Sequence, residues 1–136
     1  MIGILEDDLE GRQVLFRAAL RDLGAATIHD NAPDFLRWLD DAFGTIRLLS
    51  LDHDLGPSRE RDGVRFEPGD GMQAVDFLVN RKAAFPIIVH SSNPYAAPTM
   101  VRRLEEAGWS AERIVPWGEQ WIPTVWKARV GQLLLR

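Results

Sequence analysis

Met1-Ile2-Gly3-Ile4-Leu5-Glu6-Asp7-Asp8 (residues 1–8) sets an apolar run directly against three acids, and Leu48-Leu49-Ser50-Leu51-Asp52-His53-Asp54 (residues 48–54) sets another against two acids and a histidine. Each run is too short for a helix and reads as a strand buried on both faces. A third run, Pro86-Ile87-Ile88-Val89, passes into His90-Ser91-Ser92-Asn93. Strands of this kind belong to parallel sheets, whose C-terminal ends open onto one edge where ligands bind.

Helical periodicity fills the intervals. Leu9, Phe16, Leu20 and Leu23 fall on one helical face, stopped by Gly24, and Ala25–His29 reads as a second strand. Asn31 is placed to cap the next helix, with Pro33 in its first turn and Leu36, Leu39 and Phe43 on its buried face. Leu48–Leu51 is the third strand, followed by a polar segment over Gly56–Asp70 and a helix carrying Met72, Val75 and Val79. The fourth strand ends at Val89; Pro98 suits the first turn of a helix with Met100, Leu104 and Ala107. Arg113–Val115 reads as the fifth strand, and Ile122, Trp126, Val130 and Leu133 mark a last helix. Alternation of strand and helix predicts an α/β, flavodoxin-like three-layer sandwich with a five-stranded parallel sheet. By analogy its order is 2-1-3-4-5. Residues 1–136 are expected to form a single domain, with a polar insert at about 56–70.

The chain has 136 residues, 46% of them hydrophobic, which suffices for a core without staples. It has no cysteine, so disulfides, thiolate metal sites and thiol nucleophiles are excluded, leaving Asp, Glu and His as ligand types. A net charge of −4 argues against extended nucleic-acid binding, although a nucleotide or an RNA end needs only a local arginine cluster. No apolar run approaches a membrane span, and residues 1–8 lack the basic start of a signal peptide, so a cytoplasmic location is expected.

Polar residues collect where strands one, three and four end. Asp7, Asp8 and Asp52 would repel one another if packed together, and a divalent cation with oxygen ligands removes that repulsion. Mg²⁺ or Mn²⁺ is therefore the expected cofactor. Asp54 is either a further ligand or a loop cap, and Glu6 is either a substitute within the cluster or a solvated residue.

This arrangement resembles the receiver domains of bacterial response regulators. There an acidic pair after the first strand and an aspartate after the third hold Mg²⁺, and that aspartate is phosphorylated. A Ser or Thr after the fourth strand and a Lys after the fifth contact the phosphoryl oxygens. Asp7, Asp8, Asp52 and Ser91 match; the Lys does not, because the fifth strand ends in Val115-Pro116-Trp117. The chain is more closely similar to the receiver-like family proposed to process cyclic phosphates, through Leu51-Asp52-His53-Asp54-Leu55 and His90-Ser91-Ser92-Asn93-Pro94, with Met100 downstream. The long insert and the Gly71-led helix join these two motifs. Ala96 stands where that family's pattern usually has Gly.

His53 and His90 lie at the same edge as the acids, and imidazole titrates near neutrality, so either can act as general acid or base. His29, on the edge strand, reads as structural. Ser91, Ser92 and Asn93 either donate to phosphate oxygens or form a capping turn before Pro94 and Pro98. Arg59, Arg61 and Arg65 share their insert with Glu60, Asp62 and Glu67 and read as a solvated loop, the alternative being an arginine that closes over a phosphate. Of Trp109, Trp117, Trp121 and Trp126, most are expected in the core. The leading functional reading is metal-dependent phosphoester processing, of a cyclic phosphate on a nucleotide or RNA end. The alternative is an atypical receiver that binds a protein partner or ligand without turnover.

Overall fold

The computed structural model describes residues 1–136. Strands β1 (Ile2–Leu5), β2 (Ala26–His29) and β3 (Leu48–Leu51) alternate with helices α1 (Arg12–Leu20) and α2 (Ala32–Ala42). A hairpin of β4 (Arg59–Arg61) and β5 (Val64–Phe66) precedes α3 (Met72–Leu78), β6 (Ile87–Val89), α4 (Ala96–Glu106) and β7 (Ala111–Arg113). A π-helical turn, Ile122–Trp126, leads into α5 (Lys127–Leu134). The main sheet is parallel, in the order β2-β1-β3-β6-β7. With the hairpin set aside, this is the expected 2-1-3-4-5 topology.

Period-2 alternation sends successive side chains to opposite faces of the sheet. Leu5, Leu49, Leu51, Ile87 and Val89 pack against α2, α3 and α4, with Phe35, Leu39, Val75, Met100 and Trp109. Ile2, Ile4, Leu48 and Ile88 pack on the other side against α1 and α5, with Phe16, Trp126, Val130 and Leu133. A Cβ on Gly3 would lie 2.3 Å from the ring of Trp38, so only glycine lets that indole lie on the strand. Asn31 caps α2 as expected, its Oδ1 accepting from the Asp34 amide, and Pro33 lies in the first turn.

Three expectations need correction. Leu9 is exposed because the acidic loop runs to Gly11 and α1 begins only at Arg12. The last strand of the sheet is Ala111–Arg113 rather than Arg113–Val115: Ala111 pairs with Ile87 and Arg113 with Val89. Its polar residues tolerate this edge position because Glu112 pairs with Arg129 at 2.7 Å and Arg113 donates to the Ser91 carbonyl. The insert is a hairpin whose arginines are anchored. Arg59 donates to the Asp30 carbonyl at 2.8 Å, Arg61 pairs with Asp34 at 2.9 Å, and both guanidinium groups lie over Phe66. Arg65 pairs with Glu67 in solvent.

Candidate functional site

The carboxyl-terminal ends of β1, β3 and β6 bring Glu6, Asp52 and His90 together, each offering a donor atom within 4.8 Å of the others. Parity explains the grouping. Glu6 continues the face of Ile2 and Ile4, and Ser50 and Asp52 continue that of Leu48. His90 continues that of Ile88, so all four project toward α1 and α5. Glu6, Ser50 and His90 are fully buried there.

Burial demands partners, and each is present. Ionised Glu6 accepts at Oε1 from His90 Nε2, 3.1 Å away, and at Oε2 from the Asp8 amide. On its other side His90 Nδ1 is hydrogen-bonded to the Ser50 hydroxyl at 2.7 Å. Ser50 in turn accepts from the indole N–H of Trp126 at 2.9 Å. Trp126, Ser50, His90 and Glu6 thus form one hydrogen-bonded chain that ends on the carboxylate. Phe16, Trp121 and Trp126 enclose it. The π turn is what makes the enclosure. The Trp126 amide donates to the Trp121 carbonyl at 2.8 Å, five residues back, which widens the turn, and both indoles meet Phe16 in edge contacts.

Electrostatics separate the two buried acids. Burial alone would raise the Glu6 carboxyl, but the hydrogen bond and charge of His90, the Asp8 amide and Arg12 together hold it below the usual range. Asp52 is pushed up to about 6, chiefly by burial and then by the Glu6 charge. His90, the His53 amide and Arg12 only partly offset this. Asp52 Oδ1 accepts from the His53 amide at 2.7 Å, while Oδ2 faces Arg12 Nη1 at 3.7 Å. The same Nη1 is 3.5 Å from Glu6 Oε1, and the Arg12 guanidinium lies 5.6 Å from the centre of the Trp121 ring. Asp7 is half-buried at the rim, raised by burial and by the charge of Glu6. Gly71 lets α3 approach the cluster, since a Cβ there would lie 1.9 Å from the Asp52 carbonyl oxygen.

The other residues singled out from sequence take distinct places. Asp8 is exposed and caps α1, with its two carboxylate oxygens accepting from the Gly11 and Arg12 amides. His53 sits near the surface between acids, Nδ1 at 2.8 Å from Asp54 and Nε2 at 3.8 Å from Asp70. Asp54 is itself exposed. Ser91 is buried and its hydroxyl accepts from the Asn93 amide. Asn93 accepts from the Tyr95 and Ala96 amides at the start of α4, and Ser92 is exposed. His29 packs against Phe35 and Trp38, with burial lowering its pKa. Trp109, Trp121 and Trp126 are in the core, whereas Trp117 is 84% exposed.

Arg12 and Ser50 are the site residues that sequence reading passes over. Ser50 carried a signal: it is the one polar residue within an apolar strand, at the same parity as Glu6 and His90. Arg12 carried none beyond its position four residues after Asp8.

Sheet order, covering helices and an acidic cluster at the switch between β1 and β3 define a receiver-type α/β domain. The model of the cyclic-phosphate processing receiver domain matches residues 2–106, and the chain belongs to that family. Solved structures similar to it are receiver domains. That of NtrX from Brucella abortus is 19% identical, with a TM-score of 0.62 over 96% of this chain and 98% of that one. The BeF₃-activated receiver domain of DrrB, a protein of Thermotoga maritima, is 18% identical, with 0.67 over 99% and 97%. That of Klebsiella pneumoniae RstA is 20% identical, with 0.65 over 99% and 98%. At these identities the likeness establishes the fold alone. No curated protein matches the chain in sequence at a significant level. No helix is long and apolar enough to cross a membrane.

Proposed function

We propose that this domain processes a cyclic phosphate, on a nucleotide or an RNA end, with the help of Mg²⁺ or Mn²⁺. The observation that carries the reading is the pair of buried carboxylates, Glu6 and Asp52, at the sheet edge. Asp52 lacks enough positive charge to ionise at its ordinary pH, the condition a divalent cation relieves. Glu6 and Asp52 would hold the ion with Asp7 at the rim, while Asp8 stays with its helix. Asp54 either completes the ligand set or orients His53. When bound, such an ion polarises a phosphoryl oxygen and makes a bound water more acidic.

The chain's own residues divide the remaining work. His53, near solvent with Asp54 fixing its Nδ1 side, is the histidine suited to exchange a proton with the attacking water or the departing alkoxide. His90 has both ring nitrogens engaged out of solvent, and its part is to hold Glu6 ionised and aimed. Ser92, exposed and free of an internal partner, is the donor available to a phosphate oxygen, beside the turn that Ser91 and Asn93 shape. Water adds at phosphorus, one ring P–O bond breaks, and a phosphomonoester results.

A second reading is favoured by one observation. Tyr95 and Trp117, each 84% exposed, and Val115 follow β6 and β7 at the same edge, an apolar surface suited to a protein partner. The discriminating experiment is a panel of 2′,3′- and 3′,5′-cyclic nucleotides with Mg²⁺, Mn²⁺ or EDTA. Metal-dependent opening of the ring is expected, abolished in Asp52→Asn and lowered about 10²–10⁴-fold in kcat by His53→Gln. Absence of turnover across the panel in a protein that binds Mn²⁺ would favour the partner-binding reading.

A further inference from the structure

We propose that Arg12 is the phosphate-binding residue of the site, held over the acids by Trp121 and supplying from α1 a cation whose N–H donors are not engaged elsewhere. The ligand class rests on the cyclic-phosphate reading; the choice of residue rests on the geometry.

No lysine reaches this edge. Ile114 and Val115 follow the last strand, Lys82 lies between α3 and β6, at the amino-terminal end of β6, and Lys127 is engaged with Asp22 at 2.6 Å. Arg113 donates to the Ser91 carbonyl from both Nε and Nη2, and Arg59 and Arg61 hold the hairpin. Arg12 differs from all of these. It stands 3.5 Å from Glu6 and 3.7 Å from Asp52, close enough for attraction but with no side-chain hydrogen bond made. Its five N–H donors are therefore free for a ligand, while Trp121 supports the flat face of the guanidinium. Its side chain is 29% exposed and lines a cavity of about 480 Å³ with Gly11, Leu15, Gln120 and Trp121. That volume suits a mononucleotide. Three acids line the same cavity: Asp8, whose oxygens already accept from amides, and the exposed Glu10 and Glu119.

Two consequences follow from the charges. In the ligand-free site Arg12 is a partial counter-charge for Glu6 and Asp52. A divalent cation draws on the same carboxylates, so the two positive groups oppose each other until a phosphate anion is shared between them. Metal and anion should then bind cooperatively, and loss of Arg12 should weaken the anion without weakening the metal bound alone.

The test compares wild type, Arg12→Lys and Arg12→Ala. Calorimetry measures 2′,3′-cyclic AMP and inorganic phosphate in Mn²⁺ buffer. The electron paramagnetic resonance of free Mn²⁺ measures the metal without nucleotide, and thermal melts check folding. Arg12→Ala should weaken 2′,3′-cyclic AMP about 10- to 100-fold and leave Mn²⁺ affinity equal or tighter. Arg12→Lys should fall between, because an ammonium cannot form the bidentate contact. Unchanged nucleotide affinity in a folded Arg12→Ala protein would overturn the proposal, as would parallel loss of Mn²⁺ and nucleotide. Failure of the wild type to bind either phosphate compound would overturn it too. Arg12-dependent binding without ring opening would refute the enzymatic reading while leaving this assignment standing.

Discussion

Replacing Asp52 by Asn should stabilise the metal-free protein at neutral pH and leave it unchanged in acid. In the fold the Asp52 carboxyl rises from 3.8 to about 6 because it is buried beside Glu6. The folded state therefore keeps its proton where the unfolded chain releases one. The stability this proton confers is complete below pH 3.8 and is lost as the pH climbs through 6. A rise of that size corresponds to about 3 kcal/mol. Asn keeps the Oδ1 acceptor for the His53 amide, and the attraction to Arg12 that it gives up is already contained in that net rise. Asp52→Asn should thus gain about 1–3 kcal/mol at pH 7.5 in EDTA and nothing measurable at pH 4, or about 3–10 °C in Tm at the higher pH. Urea unfolding of both proteins across pH 4–8 is the assay. The wild-type advantage of adding Mn²⁺ should be largest at pH 7.5 and absent in the variant. A variant less stable than wild type at pH 7.5, or two pH–stability curves that run parallel, would refute the reasoning.

Other expectations address the parts around this carboxylate. Ser50→Ala strands both the Trp126 indole N–H and His90 Nδ1 in the core; denaturant unfolding should show a loss of about 2–4 kcal/mol. Gly71→Ala drives a methyl into the Asp52 carbonyl oxygen and should destabilise by about 2–4 kcal/mol, with Tm falling accordingly; a near-neutral result would mean the α3 terminus moves freely. Asp34 is held down to about 2 by Arg61 and Asn31, so its contribution is present above pH 3.8 and lost as the pH falls through 2. Carbon-detected NMR titration should find that low value, and Arg61→Ala should raise it. The same variant should speed amide exchange across residues 59–66, since Arg61 also ties the hairpin to α2.

The sheet and its order were legible because apolar runs ending on acids leave few alternatives: Ile2–Leu5 and Leu48–Leu51 appear where they were read. The fifth strand was displaced because Ala111, Glu112 and Arg113 carry no apolar run. Their placement depends on ladder pairing with Ile87 and Val89, a tertiary fact. The hairpin was hidden for a similar reason, its residues being polar and its stability residing in ion pairs to Asp30 and Asp34. At the candidate site, the sequence pointed to the ends of β1, β3 and β6 but could not divide adjacent acids between roles. Glu6 turns inward by sheet parity while Asp8, two residues on, becomes the cap of α1. Arg12 was invisible because its relation to Glu6 and Asp52 exists only once α1 folds back over the sheet.

The widened helical turn that brings Trp121 and Trp126 together also makes this protein its own optical probe. Trp126 donates to Ser50 beside an imidazole, and Trp121 lies beneath a guanidinium at the cavity wall. Both indoles are shielded from water, as Trp109 is, whereas Trp117 is open to it. Native emission therefore combines a shielded, quenchable component at the site with those of buried Trp109 and half-buried Trp38 and a red component from Trp117. Trp117→Phe would strip away the red one. Any ligand that moves Arg12 against Trp121 would then be visible in the fluorescence of the unlabelled chain.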